Sequence, residues 1–581
     1  MNYFILSKKD IAPSGGEHQI YLLHDWVITL QTDDYKDCNK EGVRIIIIGD
    51  YIGSVQTLFD TEHSNIPKLR GNFYAIVVSD QTIKIYNSFL SILPLYFTND
   101  HRYISSSIRY IRNVSQEEFS INKKYILEGL LFNYGFFNRT LYKEIQLLSS
   151  NSFLILNEDS VNEEKHFETT SLFHKNPSRG SKVVDQLSDL FISTTAHYFP
   201  DTSFTVAFTS GFDGRTLVSC ATHFQKDIKT FSFGKPENDD VAIPKLNAEE
   251  LNIPYQSLDL GSEAYIREDY LNSAKDYIDQ FPGANGLIYP HIAYSAKQIA
   301  KDSEFLLSGV IGSELFRALH ITGAVTSQAL VDIFTSNSTQ EIRDKITNSK
   351  ALEAIKKEEF HVELEELIEE IIAYRTSISK DLTQNQQFYV FVFEEVFRKF
   401  FGQWIAMQMH HIKVRTPFLD YIFIKELLKT QYAGVNNDFF TENPLKRMKG
   451  QYLYTDIIKK TNKRIYQQMT GKGYRPKDLR ESIYIYKIIF PFITKRLRRK
   501  IKTPYLDNLG IISGILANKE HVKKLINNTT YFDSSKLLLI LDTLTPTTPE
   551  KERDTLLMMM SVLIALRHNP IHNKTKQPTI L

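Results

Sequence analysis

The chain has 581 residues, 42% of them hydrophobic and 12% aromatic, which is enough to form more than one hydrophobic core. Its 69 basic and 68 acidic side chains leave a net charge of +1, which excludes a chain-wide attraction to nucleic acid or an acidic membrane. The two cysteines, Cys38 and Cys220, are typical of a reducing compartment, and no apolar run is long enough to span a bilayer. We therefore expect a cytoplasmic protein of two or more domains that binds neither nucleic acid nor a membrane.

The first part of the chain, to about residue 165, predicts short strands separated by turns. Apolar and alternating runs indicate strands at residues 3–6, 21–30, 43–48, 73–78, 83–86 and 152–156. Residues 54–60 and 123–131 have a more helical pattern. This mixture favours a layered α+β domain.

The next part predicts alternating helices and strands. A polar bridge over residues 166–180 is followed by a helix over 181–197 and by strands that begin at 204, 228, 255 and 305. Helical stretches separate these strands, so the connections are expected to be crossovers within a parallel sheet. A ligand of such a sheet binds beyond the carboxyl ends of its strands.

A turn rich in small residues joins the strand at 204 to the helix that follows it. Thr209, Ser210, Gly211 and Gly214 allow backbone N–H groups to point at an anion, and the positive end of the helix adds to the attraction. Asp213 lies in the same turn, where a carboxylate beside a bound phosphate needs a divalent cation between the two. A purely structural turn remains the alternative.

Three later segments carry further candidate residues. Residues 308–316, Ser-Gly-Val-Ile-Gly-Ser-Glu-Leu-Phe, follow the strand at 305, where the glycines also suit a tight structural turn. Residues 415–420 read Arg-Thr-Pro-Phe-Leu-Asp, and Asp420 is predicted to cap a helix. Residues 470–476 place Lys472 between two glycines, where a cation can close over an anion as charge develops, although a solvated loop lysine is the alternative.

In this order the segments resemble the asparagine synthetase family. The turn at 209–214 resembles its Ser-Gly-Gly-any-Asp-Ser pyrophosphate loop, and residues 67–75, 93–97 and 105–107 resemble its glutaminase domain. The resemblance implies an α+β sandwich of the Ntn-hydrolase type over residues 1–165. It also implies an α/β parallel-sheet ATP-pyrophosphatase domain over 180–480 and a helical C-terminal region over 481–581.

The resemblance implies ATP and Mg²⁺ as cofactors. Lys472 corresponds to the family's catalytic lysine, and the metal ligands would be Asp213 and Ser313, with Glu314 as a substitute. The nucleotide-binding residues would be Thr209, Ser210, Gly211, Asp213, Gly214, Phe233, Gly234 and Gly309, of which Phe233 and Gly234 would lie near adenine.

The sequence departs from the family at positions that matter for its chemistry. Asn2 replaces the nucleophilic cysteine of the glutaminase domain, so we predict that this domain is inactive. Asp50 and Ser88 replace residues of the glutamine site. In the second signature Ser313 replaces the metal-binding Asp, and Trp404 replaces an Asp before residues 415–420.

Three hypotheses follow from this pattern. The first is an ATP-dependent ligase that forms an amide through an acyl-adenylate, releases pyrophosphate and hydrolyses no glutamine, acting on a small-molecule or peptide carboxylate as in peptide or natural-product cyclisation. The second is an ammonia-dependent asparagine synthetase. The third is a non-catalytic nucleotide-binding or regulatory protein. We interpret the basic run at 495–502 as a solvated helix face and residues 569–581 as a disordered tail.

Overall fold

The computed structural model describes residues 3–13, 18–158, 160–316, 325–437, 449–480, 507–527, 529–548 and 550–567. The basic run at 495–502 and the terminal residues 569–581 lie outside these ranges, as does Asn2. No helix within the described ranges combines the length and the apolar character needed to cross a membrane.

The first 165 residues form two six-stranded antiparallel sheets. The first sheet has the order β10-β8-β9-β1-β3-β2 and the second the order β12-β11-β7-β6-β5-β4. The strands are β1 Tyr3–Lys8, β2 His18–Tyr21, β3 Trp26–Gln31, β4 Tyr35–Lys40, β5 Val43–Tyr51, β6 Gly71–Val78, β7 Ile83–Asn87, β8 Tyr96–Thr98, β9 Tyr103–Ser105, β10 Ile145–Leu147, β11 Ser152–Leu156 and β12 Val161–Lys165. The helices of this part are α1 Val55–Asp60, α2 Ile108–Ser115 and α3 Lys123–Phe132.

The isoleucine run of β5 explains how the second sheet is buried on both faces. Ile46 and Ile48 belong to the large core that also contains the side chains of β1 and β3. Ile45 and Ile47 point to the opposite face and pack in a smaller core that includes Leu58 of α1. Successive side chains of β5 point to opposite faces of the sheet, and the strand is apolar throughout because both faces are buried.

The second half of the chain contains a five-stranded parallel sheet of order β15-β14-β13-β16-β17. Its strands are β13 Phe204–Ala207, β14 Ile228–Gly234, β15 Tyr255–Asp259, β16 Phe305–Leu307 and β17 Lys413–Arg415, and all neighbouring pairs are parallel. The chain moves outward from β13 in one direction through β14 and β15, then returns to the other side of β13 for β16 and β17. The strand order thus reverses between β13 and β16, the position at which open α/β sheets bind ligands.

Helices surround this sheet and continue to the end of the described chain. They are α4 Ser181–Ala196, α5 Asp213–His223, α6 Asp239–Leu251, α7 Tyr270–Gln280, α8 Pro290–Ile299, α9 Gly312–Phe316, α10 Gln328–Thr335, α11 Thr339–Thr347, α12 Lys357–Ser377, α13 Gln384–Phe391, α14 Gly402–Met409, α15 Tyr421–Leu428, α16 Lys449–Thr461, α17 Lys463–Gln467, α18 Pro476–Arg480, α19 Ile511–Ala517, α20 Lys519–Ile526, α21 Ser534–Asp542 and α22 Glu550–Arg567. Helix α22 packs against both α3 and α7, and so joins the two halves of the molecule.

Several elements differ from the sequence-based prediction. The strand predicted over 21–30 is interrupted, because β2 ends at Tyr21 and β3 begins at Trp26. Residues 386–411 are largely apolar and aromatic, a pattern that predicts one long helix, whereas the structure has α13, a π-helical segment at Val392–Phe401 and α14. Apolar periodicity does not distinguish this wider helix from an α-helix, because both bury a similar stripe of side chains. Strand β17 was not predicted, since three residues with one buried side chain carry too short a pattern.

Candidate functional site

The turns that follow β13 and β16 lie side by side where the strand order reverses. The turn after β13 contains residues 208–212 and leads into α5, and the turn after β16 contains residues 308–311 and leads into α9. A Cβ placed on Gly309 would lie 2.9 Å from the Cβ of Asp213. The segments 209–214 and 308–316 therefore meet at the carboxyl edge of the sheet.

Glycine is required where helix α5 meets the sheet. A Cβ on Gly214 would overlap the carbonyl oxygen of Ala207 at the end of β13. A Cβ on Gly312 would lie 2.7 Å from a carboxylate oxygen of Asp213. Between Gly309 and Gly312, the buried Ile311 has φ of +70°, a conformation that costs a β-branched residue energy. Close packing and local strain thus coincide at the second turn.

The carboxylate of Asp213 faces this second turn and accepts two hydroxyl hydrogen bonds. Ser313 donates to Asp213 Oδ2 over 2.7 Å, and the Tyr454 hydroxyl of α16 donates to Oδ1. The Tyr454 ring lies 4.5 Å from the Phe316 ring and 5.8 Å from the Phe212 ring, which fixes its position. Tyr454 was not predicted from the sequence.

The predicted metal ligands Asp213, Ser313 and Glu314 lie on the helices that follow the two turns. The Ser313 hydroxyl bonds Asp213, and the backbone carbonyl of the next residue, Glu314, accepts a hydrogen bond from Tyr389 over 3.0 Å. Among the described residues no three His, Cys, Asp or Glu side chains group together as metal ligands. Mg²⁺ is commonly held by one or two carboxylates together with substrate phosphates, so Asp213 fits a metal that arrives with a polyphosphate.

Residues 209–214, which are predicted to bind phosphate and are called the phosphate loop below, have defined partners. The Thr209 hydroxyl accepts a hydrogen bond from Gly211 N over 3.3 Å. Ser210 donates to the carboxylate of Asp240, in the first turn of α6, through its backbone N over 3.2 Å and through its hydroxyl. Asp240 therefore fixes one side of the loop, a contact that the sequence analysis missed.

The segment that carries Lys472 lies directly against the phosphate loop. Gly471 N donates to Ser210 O over 3.1 Å, and Lys472 Nζ lies 5.2 Å from the centroid of the Phe212 ring. The segment is closed on itself, because the Thr470 hydroxyl donates to Tyr474 O over 2.6 Å. Lys472 and the loop thus lie on the same side of the molecule.

Phe233 and Gly234 end strand β14, next to the strand that leads into the phosphate loop. The Phe233 ring lies 4.9 Å from the ring of His291 at the start of α8. The next amide, Lys235 N, donates to Asn508 O over 3.1 Å. Burial lowers the pKa of His291 to about 4, so this imidazole is neutral at physiological pH.

The residues that correspond to the family's glutamine site have structural partners. Asp50 forms an ion pair with Arg415 over 2.7 Å. The Ser88 hydroxyl bonds both the N–H and the carbonyl of Phe73, over 2.7 and 2.8 Å. Gly49 lies against Met409 at the end of α14, whose methyl is 3.3 Å from where a Cβ of Gly49 would be.

The segment 415–420 connects the antiparallel and parallel sheets. Besides the Arg415–Asp50 pair, Asp420 accepts a hydrogen bond from Arg70 over 2.9 Å. Its other oxygen accepts from Phe423 N over 3.0 Å, so Asp420 caps α15 as its position predicts. Trp404 lies in an aromatic cluster, 5.1 Å from Tyr289 and 4.8 Å from Phe400 between ring centroids.

The fold thus combines an antiparallel domain with a parallel α/β sheet, and the turns after β13 and β16 meet where the strand order of that sheet reverses. Residues 187–486 match the family model described as asparagine synthase, which is slightly more than half of the chain. The chain therefore belongs to the asparagine synthase family.

Individual relatives are distant. Asparagine synthetase [glutamine-hydrolyzing] 1 of Bacillus subtilis (strain 168) is 26% identical over 262 residues, which cover 44% of this chain and 40% of that protein. The match thus spans well under half of the curated relative. A solved structure of the glutamine phosphoribosylpyrophosphate amidotransferase from B. subtilis, complexed with ADP and GMP, is 10% identical and covers 59% of this chain and 82% of that chain, with a TM-score of 0.17.

Proposed function

We propose that this protein is an ATP-dependent carbon–nitrogen ligase that activates a carboxylate as an acyl-adenylate, releases pyrophosphate and transfers the acyl group to an amine. Family membership supports an amide ligase of the asparagine synthetase type. The observation that carries the proposal is the meeting of Asp213, the phosphate loop and the Lys472 segment at the reversal of strand order.

In this proposal the residues at 209–214 hold the triphosphate. The first amides of α5 have no carbonyl acceptor within their own helix and face an anion bound at its N-terminus. Lys472 supplies a positive charge beside them, where negative charge develops on the departing pyrophosphate. Phe233 and Gly234 would border the adenine ring.

Magnesium would be held by Asp213 and by phosphate oxygens, and would neutralise charge on the triphosphate. The Ser313 hydroxyl bonds Oδ2 of Asp213 and would orient its carboxylate, whereas a metal ion would displace the Tyr454 hydroxyl from Oδ1. Asp213 would then be the one protein carboxylate that the proposed magnesium requires.

We further propose that the amine does not come from glutamine. Asn2 replaces the cysteine nucleophile, and Asp50 is engaged by Arg415 rather than available to a ligand. The substrate's own amine would then attack the acyl-adenylate, as in cyclisation of a peptide or natural product. The cytoplasm is the proposed location.

The test is ATP–pyrophosphate exchange, measured with Mg²⁺ against a panel of small-molecule and peptide carboxylates. We expect exchange with at least one carboxylate, and its loss in Asp213→Asn. Asp201→Asn is the matched control, because this exposed carboxylate precedes β13 and should leave exchange unchanged. Exchange with aspartate, followed by asparagine formation with ammonia, would instead identify an ammonia-dependent asparagine synthetase.

A second candidate is a non-catalytic nucleotide-binding protein. It is favoured by the two hydroxyls that bond the carboxylate oxygens of Asp213, and by the finding that no three His, Cys, Asp or Glu side chains among the described residues group as metal ligands. ATP binding in the absence of exchange with any carboxylate would support it and would contradict the ligase.

A further inference from the structure

Arg215 is a buried cation without an acidic partner. It lies in the first turn of α5, two residues after Asp213, and its side chain is 0% exposed. Among the described residues its guanidinium donates hydrogen bonds to backbone carbonyls and forms no ion pair with an acidic side chain. The guanidinium is charged, because arginine is not deprotonated in proteins.

This arrangement is costly for the fold. A buried charge is normally paired, and a positive side chain at a helix N-terminus opposes the helix dipole. In addition, Arg215 Nη1 has no hydrogen-bond partner. Arg398 shows the usual solution in the same protein, since it is 2% exposed and pairs with Glu395 over 2.9 Å.

The remaining guanidinium nitrogens of Arg215 connect two parts of the nucleotide site. Nη2 donates to the carbonyl of Met469 over 2.9 Å, and Nε donates to the carbonyl of Gly211 over 3.4 Å. Met469 directly precedes the segment that carries Lys472, and Gly211 belongs to the phosphate loop. One side chain therefore fixes the distance between these two backbones.

We propose that Arg215 is a positioning residue that holds the Lys472 segment against the phosphate loop, and that the polyphosphate of the bound nucleotide is the counter-charge which the protein itself does not provide. The inference rests on the proposed function, because it requires a polyphosphate at the loop. Attraction through a low-dielectric interior is strong even when the two charges do not touch.

The test compares Arg215→Met, which removes the charge but keeps the length of the side chain, with Arg215→Lys, which keeps the charge and loses the planar fork. Magnesium pyrophosphate and MgATP are titrated calorimetrically, and thermal unfolding is followed in parallel. We expect Arg215→Met to bind magnesium pyrophosphate at least tenfold more weakly while its Tm stays equal or rises, because an unpaired buried charge is gone.

We expect Arg215→Lys to recover most of the pyrophosphate affinity but to lower kcat for ATP–pyrophosphate exchange at least tenfold with little change in KM, because Lys472 is no longer fixed. Arg398→Met is the control, since it removes a buried but paired arginine and should lower Tm without changing pyrophosphate affinity.

The outcomes separate the inference from the proposed function. If the wild type binds magnesium pyrophosphate and Arg215→Met binds it equally well, the inference is wrong and the ligase proposal stands. If Arg215→Met has both a lower Tm and a lower affinity for magnesium pyrophosphate, and Arg215→Lys restores neither, Arg215 is a structural residue only. If the wild type binds neither probe, both proposals fail.

Discussion

Arg415 donates two hydrogen bonds to the carboxylate of Asp50, over 2.7 and 3.1 Å, from the last strand of the parallel sheet to a strand of the antiparallel domain. Both side chains are nearly buried, with 12% and 8% exposure. Arg415 also donates to the carbonyl of Tyr198 over 3.1 Å. Asp50, which the sequence predicts at a position of the family's glutamine site, therefore forms a contact between the two domains.

Asp50→Ala should strongly destabilise the protein. The substitution leaves Arg415 buried without its counter-charge, which typically costs about 3–5 kcal/mol of unfolding free energy. The double variant Asp50→Leu with Arg415→Met should recover most of this loss, because it removes both charges. Thermal and urea unfolding measure the effect.

The exposed pair Glu263–Arg267 provides the control for this prediction. Its side chains are 79% and 70% exposed, so Glu263→Ala should cost less than about 1 kcal/mol. Equal losses from Asp50→Ala and Glu263→Ala would contradict the interpretation of the Asp50–Arg415 contact.

Two glycines of the phosphate loop should respond differently to alanine. Gly214→Ala places a methyl against the Ala207 carbonyl and should lower the unfolding free energy by about 1–3 kcal/mol. The nearest atom to a Cβ on Gly211 is Thr209 Oγ1 at 3.4 Å, so Gly211→Ala should fold normally. We expect Gly211→Ala to weaken binding of magnesium pyrophosphate about tenfold, because the backbone no longer approaches the anion closely. Unimpaired binding would show that the loop does not contact the phosphates.

Tyr454→Phe should lower the Mg²⁺ concentration needed for half-maximal ATP binding. The variant keeps the ring against Phe316 and removes the hydroxyl that a metal ion would have to displace from Asp213. Tyr474→Phe is the control, since its hydroxyl donates to Gln451 over 2.8 Å instead. A higher Mg²⁺ requirement in Tyr454→Phe would mean that the phenol supports metal binding rather than competes with it.

The stability of the protein should fall as the pH decreases from about 6.5 to about 4. Burial lowers the pKa of His291 from 6.5 to about 4, so in this interval the unfolded chain binds a proton that the folded chain does not. The loss from this one residue should be roughly 3 kcal/mol over the interval. Urea unfolding at a series of pH values measures it.

His291→Gln should flatten this pH dependence, because glutamine does not titrate. His166, whose pKa is also lowered to about 4 mainly by burial, provides a second site, and the double variant should lose more of the slope than either single variant. An unchanged slope in His291→Gln would show that folding does not lower the pKa of His291.

Local sequence patterns were sufficient to predict most of the parallel sheet. Phe204 and Val206 alternate toward the core in β13, and the period changes to that of a helix at Asp213, where α5 begins. The small residues at 209–214 then indicate an anion site, because glycine is needed where α5 approaches the strand. The order of the segments along the chain led to the family resemblance, which predicted what these segments do.

Local patterns did not predict contacts between residues that are far apart in the sequence. Asp213 and Tyr454 are separated by 241 residues, and Asp50 and Arg415 by 365. Neither pair has a periodic signal, because periodicity reports only which face of one element is buried. Arg215 carried a signal that was overlooked, since a basic residue between Asp213 and the apolar Leu217 and Val218 opposes both the helix dipole and the buried face.

Helix α22 has a consequence for how the protein is made. It packs on α3 of the antiparallel domain and on α7 of the parallel-sheet domain, and Met558 fills the space beside Gly129. Helix α22 follows α3 and α7 in the sequence, so the apolar surfaces that it covers on them stay exposed in the nascent chain until the ribosome has synthesised residues 550–567. Chains truncated before residue 550 would keep these surfaces exposed and are natural targets for chaperones and proteases.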